Sequence, residues 1–192
     1  MSRIILASSS PFRKELLSRL RLEFDTSSPE IDESALENEK PSQLVQRLAR
    51  EKANAVAEKA LDCIVIGSDQ VAVCDEQILG KPGSFEKAVE QLQFLSGKRI
   101  CFYTGLSVIS TSDAKIQTDV IKFYVEFREL SDSMIENYLT KEPAFNCAGS
   151  FKSESLGIAL VSRMMGSDPT ALVGLPLVRL TEMLETAGVE II

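Results

Sequence analysis

Histidine is missing from this chain altogether. Its absence excludes the Ser-His-Asp and Cys-His forms of nucleophilic catalysis and removes zinc's usual ligand. Acid–base work then falls to carboxylates, lysine, tyrosine or water. Cysteine is sparse: Cys63, Cys74, Cys101 and Cys147 form no Cys-x-x-Cys pair. Three of them lie in strand-like sequence, so reduced, mostly buried thiols are expected. No apolar run approaches the roughly eighteen residues that span a bilayer. The opening "RIILA" lacks a signal-peptide layout, so a soluble cytoplasmic protein with no membrane partner is expected. A Lys/Arg block is lacking too, and the net charge is −7. A duplex binder shows a basic face, so no nucleic-acid partner is expected. An anionic small molecule stays compatible, because screening acts over about 10 Å and a local cluster of cations outweighs the global sign.

What is present points to a globular chain. The 192 residues are 44% hydrophobic and 26% charged, enough for a single domain over 1–192, with room for two lobes. The pattern predicts a strand at 3–7, a helix at 11–21, a strand at 22–27, a helix at 41–59 and a strand at 63–73. A helix near 84–95 follows, with Ser84 as its N-cap and Gly97 just past its end. Two alternating segments, 99–110 and 115–128, suggest a hairpin in which Ile121, Phe123, Val125 and Phe127 share a face. A short helix at 132–140, a strand at 157–164, a turn at "GSDPT" and a helix at 175–187 complete the order. The fold class is α/β, a mixed twisted sheet flanked by helices.

Five stretches are odd for a purely structural chain. In "SSSPFRKELL", Ser10 suits an N-cap and Pro11 the first helical position, which explains the pair without any function. Phe12 falls in line with Leu16 and Leu20 and so reads as core. Ser8 and Arg13 are less well explained, and beside a strand-to-helix turn they suit a phosphate. Lys52 interrupts the apolar stripe Val45, Leu48, Ala49, Val56, so it either snorkels or faces a charged partner. In "IVIGSDQVAV" an aspartate breaks two β runs; Asp69 is either a bulge residue or a carboxylate held on a rigid element. Gly67 before it allows a bend or a close backbone approach. Lys81 sits in the stiff loop "GKPGS", and Glu33 in an acidic loop; both read first as solvated. Arg13, Lys52 and Lys81 together suit a polyphosphate, with Asp69 and Glu33 for a metal or a water.

The pieces "ILASSSPFRKELL", "EID" at 30–32, "REKA" at 50–53, "VIGSDQV" at 65–71 and "GKP" at 80–82 form a series. "YTGL" at 103–106, "CAGSFKSE" at 147–154 and "GSDPTALVGLPL" at 166–177 continue it. In that order the chain resembles the Maf family of nucleotide pyrophosphatases, over nearly its whole length. "GSDQV" and "AGSFKSE" are similar to the branch that hydrolyses 7-methyl-GTP. The branch acting on dTTP and UTP has Asp-Thr at 69–70 and a glutamine at 154. The resemblance implies two lobes around a central cleft, as in inosine triphosphatase-like folds, and a nucleoside triphosphate cleaved between its α and β phosphates. It implies a divalent cation, Mg2+ or else Mn2+, with Glu33 and Asp69 as candidate ligands. Asp69 matches the proton acceptor; Phe12, Gln70 and Glu154 match three specificity positions; Ser8, Arg13, Lys52 and Lys81 are the expected phosphate contacts. Phe12 stands where that branch has tryptophan. Phe151 is either a second ring for the base or core. The alternatives are a pyrophosphatase for dTTP, UTP or other non-standard nucleotides, and a nucleotide-binding regulator of cell division. A homodimer is left open.

Overall fold

The first strand, β1 (Arg3–Ala7), is apolar on both faces, and such a strand is stable only when covered on both. In the computed structural model, which describes residues 3–192, it pairs in parallel with β2 (Phe24–Ser27) and with β3 (Cys63–Cys74). The strand order is β2-β1-β3-β5-β6-β7, with β5 Arg99–Ser110, β6 Lys115–Phe127 and β7 Val161–Met165. Strand β4 (Gln77–Leu79) pairs antiparallel with β3, and β7 antiparallel with β6. The sheet is therefore mixed, as expected.

Contacts divide the chain into two units, one of Met1–Gln70, Thr104–Ile121 and Asp168–Ile192, the other of Val71–Tyr103 and Lys122–Ser167. In the first, Ile4, Leu6, Ile64, Ile66, Leu106 and Val108 pack with Leu16 and Leu17 of α1 (Pro11–Ser18) and Leu180 and Leu184 of α6 (Leu177–Thr186). The alternate residues Ile5, Ala7, Val65 and Ile109 pack with Ala53 and Val56 of α2 (Pro41–Ala57). Period-2 alternation on the strands meets helical stripes on both sides.

Glycines let α2 lie close to the strands. A Cβ on Gly67 would sit 2.2 Å from the Ala49 carbonyl, and one on Gly105 would sit 2.1 Å from that of Val45. The close approach expected at Gly67 is therefore real, and it is made against a helix backbone.

In the second unit, α3 (Phe85–Leu95) buries Ala88, Leu92 and Leu95, and α4 (Asp132–Lys141) buries Ile135, Tyr138 and Leu139. Ser84 and Ser131 cap these helices through their hydroxyls. Phe151 is core: its ring lies 5.3 Å from that of Phe127 and 6.4 Å from that of Phe102. Phe123, Val125 and Phe127 are buried on one face of β6, with Ile121 half-buried in the first unit.

Several element ends differ from the sequence pattern. Helix α1 stops at Ser18, because the amides of Arg19, Leu20 and Arg21 turn to carbonyls three residues back and Arg21 is left-handed. The expected strand at 157–164 begins only at Val161. Before it, Leu156–Leu160 forms a 3-10 helix, since Glu142 takes the Gly157 amide and the Ser155 hydroxyl. The "GSDPT" turn leads into a short helix, α5 (Thr170–Val173). Helix α2 ends at Ala57 and α6 runs Leu177–Thr186 rather than 175–187. Strand β4 went unforeseen: three residues hold too little periodicity. All four cysteines are free thiols. Among the described residues no helix is long and apolar enough to cross a membrane.

Candidate active site

The apolar stripe of α2 delivers Lys52 to the strands, and the lysine does not snorkel. It is 6% exposed, with its ammonium 2.7 Å from Asp69 Oδ1 and 2.9 Å from Glu33 Oε1. Asp69 is no bulge or turn residue. It lies within continuous β3, 7% exposed, and so is held on rigid backbone. Glu33 reaches the same ammonium from a loop, with 58% of its side chain exposed.

Arg13 comes to this neighbourhood from the first turn of α1. Its Nε donates to the Gly174 carbonyl at 2.8 Å, and its Nη1 to Ser8 Oγ at 3.5 Å. The residue as a whole is half-buried, while its guanidinium is deeply enclosed. That burial lowers the guanidinium pKa, and the negative charges of Asp69 and Glu33 act against the drop. An arginine stays protonated through such shifts. Ser8 is buried and accepts the Ser10 amide at 3.1 Å, which shapes the turn from β1 into α1. Phe12, expected in the core, is half-buried on α1.

Gln70 is tethered. Its Nε2 donates to the Ala171 carbonyl at 2.7 Å, Thr104 Oγ1 at 3.0 Å and the Leu172 carbonyl at 3.2 Å. The second unit holds the other two expected residues. Lys81 and Glu154 are both exposed, and both act on Cys147, whose thiol is pushed up first by burial; Lys152 and Lys81 pull it down while Glu154 and Glu142 push it up. The first unit thus gathers Ser8, Arg13, Glu33, Lys52, Asp69 and Gln70, and the second brings Lys81 and Glu154 into one neighbourhood.

Among the described residues, no group of three or more His, Cys, Asp or Glu side chains could hold a metal by protein ligands alone. Two carboxylates converging on one ammonium are a hard-oxygen donor pair. That suits Mg2+, which takes one or two carboxylates and completes its shell with water and substrate phosphate.

A family profile described as Maf-like protein matches residues 3–187. The chain belongs to the Maf family. Two curated relatives bear the name 7-methyl-GTP pyrophosphatase. That of Nitrosococcus oceani is 54% identical over 185 residues, covering 96% of this chain and 93% of its own. That of Aliivibrio fischeri is 52% identical over 191 residues, covering 100% and 99%. A solved structure titled as that of the Staphylococcus aureus Ham1 protein overlaps 68% of this chain and 72% of its own, at a TM-score of 0.45 and 20% identity. So loose a likeness carries no argument.

In this Maf chain the structure adds polar residues that the pattern did not single out. Ser68, fully buried, directs its hydroxyl to the carbonyls of Gly105 at 2.8 Å and Gly174 at 2.9 Å. Thr104 donates to the Ala171 carbonyl at 2.8 Å. Asp168, 2% exposed, accepts the amides of Thr170 and Val178 and so ties the starts of α5 and α6 together. Their only sequence signal was membership of the strings "GSDQV", "YTGL" and "GSDPTALVGLPL"; a small hydroxyl in a strand looks neutral until its partner is known.

Proposed function

We propose that this chain hydrolyses 7-methyl-GTP to 7-methyl-GMP and pyrophosphate. The observation that carries the reading is the Lys52–Asp69 pair, held between a helix and a strand with Glu33 and Arg13 beside it, in a chain about half identical, end to end, to relatives named for that activity. Phosphoryl transfer needs positioning and charge neutralisation more than covalent help. In this reading Arg13 and Lys52 bind phosphate oxygens, with Ser8 alongside. Asp69 accepts the proton of the attacking water as its oxygen bonds to phosphorus, and the bridging P–O bond breaks to release pyrophosphate. Glu33 and Asp69 would hold a divalent cation, Mg2+ or Mn2+. When bound, the cation supplies neutralisation of the phosphate charge. Lys52 then exchanges part of its carboxylate contact for phosphate, which a compact ammonium does readily.

Base preference follows from charge. Methylation at N7 leaves guanine cationic, and a flat cation is drawn to an aromatic face by about 0.5–2 kcal/mol. Phe12, half-buried in the same turn as Arg13, supplies such a face. Phe151 is spent in the core. A cytoplasmic setting completes the reading.

The test is pyrophosphate release from 7-methyl-GTP, GTP, UTP and dTTP, with and without Mg2+. We expect the highest kcat/KM for 7-methyl-GTP, and activity only with the metal. A preference for UTP or dTTP overturns the substrate assignment.

A further inference from the structure

Helix α5 is only four residues long, so its C-terminal carbonyls need partners from elsewhere. Side chains of the strands supply them. Gln70 and Thr104 both donate to the Ala171 carbonyl, Gln70 also reaches that of Leu172, and Ser68 reaches that of Gly174. The Gly174 carbonyl is shared, because Arg13 Nε docks on it as well. Position 174 admits little but glycine: its φ is 109°, and a Cβ there would lie 3.3 Å from Arg13 Nε.

We propose that Ser68 is a positioning residue that sets the plane of the Arg13 guanidinium through the Gly174 carbonyl, so that Arg13 meets the polyphosphate in one orientation. A guanidinium is a rigid fork, and fixing its Nε–H on a backbone oxygen fixes the directions of its other donors. The Ser68 hydroxyl bridges the carbonyls of β5 and of the residue after α5, which ties that oxygen to the sheet. Gln70 and Thr104 hold the rest of α5 in place. The inference rests on the phosphate role of Arg13 given above.

The test is a double-mutant cycle on the full chain, read by calorimetric binding of inorganic tripolyphosphate with Mg2+ and, in parallel, by turnover of 7-methyl-GTP. Ser68→Ala should weaken tripolyphosphate binding about tenfold, within the range of coupled neighbours. Arg13→Lys keeps the charge but loses the docked Nε–H. In that background Ser68→Ala should change binding less than about twofold, because there is no fork left to orient. Ser68→Cys, which keeps a weak donor, should fall between serine and alanine, and it stands in if the alanine variant does not fold. Equal losses in both backgrounds, or a cysteine variant that binds like wild type, overturn the proposal. If 7-methyl-GTP is not cleaved yet the cycle is coupled, the substrate assignment fails and the positioning role stands. If it is cleaved and the cycle is additive, the reverse holds. Failure of the parent to bind tripolyphosphate overturns the positioning role, and turnover of 7-methyl-GTP alone decides the substrate assignment.

Discussion

Helix α2 carries two cations that each meet two carboxylates, and they are built for opposite ends. Arg47 takes Glu39 with two parallel N–H bonds, at 2.7 and 2.8 Å, and Glu51 at 3.0 Å one turn along its own helix. It also donates to the Ser34 carbonyl. All its partners are close in sequence, and every nitrogen of the fork is engaged. Lys52, five residues on, takes partners from a distant strand and from an exposed loop, with a point charge that favours no single geometry. The first network fastens a loop to a helix. The second buries a cation between two carboxylates, beside the site proposed above for phosphate. Neither the number of ion pairs nor the burial of the carboxylates separates the two; sequence distance and the choice of arginine or lysine do.

The sharpest way to break this contrast is Asp69→Asn. It should lower kcat for 7-methyl-GTP by about 10²–10⁴-fold, the usual worth of a general base, with the far-UV circular dichroism unchanged. Near-wild-type pyrophosphate release would show Asp69 to be as structural as Glu39.

Lys52→Met strands a carboxylate that is only 7% exposed. Breaking a buried pair costs about 3–5 kcal/mol, so urea unfolding should show that loss. Adding Asp69→Asn should restore most of it. A double variant no more stable than Lys52→Met would mean the pair is less coupled than its 2.7 Å separation indicates.

Next in size is Gly67→Ala, which drives a methyl into the α2 backbone. Overpacking of this kind costs about 1–3 kcal/mol. Turnover should fall together with Tm, since the Lys52–Asp69 distance is set by the same contact.

The smallest effect belongs to the other network. Arg47 holds the Glu39 carboxyl down to about 2. A depressed carboxylate stabilises the fold above its unfolded value, near 4.3, and loses that contribution as pH falls through about 2. Glu39→Gln should therefore cost about 1 kcal/mol at neutral pH, the upper range for surface pairs. Its stability curve should converge on that of wild type between pH 4 and 2, with kcat/KM unchanged throughout. A loss of activity in this variant would join the two networks.

Much of this was legible in the sequence, for a physical reason. Lys52 in an apolar stripe and Asp69 inside a β run both violate local preference, and such violations survive only when something else compensates. The sequence could not show that each compensates the other, because a buried charge names a partner's sign and not its position. Ser10, Pro11 and Ser84 were readable because capping is local. Strand β4 and the 3-10 turn at Leu156–Leu160 were not, since one is too short to show a period and the other is set by Glu142, fourteen residues before Leu156. Phe12 looked like core by spacing alone, yet it is half-buried, one turn before Leu16, the first fully buried residue of α1. Ser68, Thr104 and Gly174 act through backbone carbonyls, which leave no mark on composition.

At Gly67 and Gly105 nothing but hydrogen separates one main chain from another. The relation between the lysine's helix and the aspartate's strand is thus fixed by peptide touching peptide, with no side chain as spacer. Exchanging neighbouring oily residues for others of equal volume should leave that relation in place, so a protein engineer has wide freedom in the surrounding hydrocarbon and almost none at these two positions.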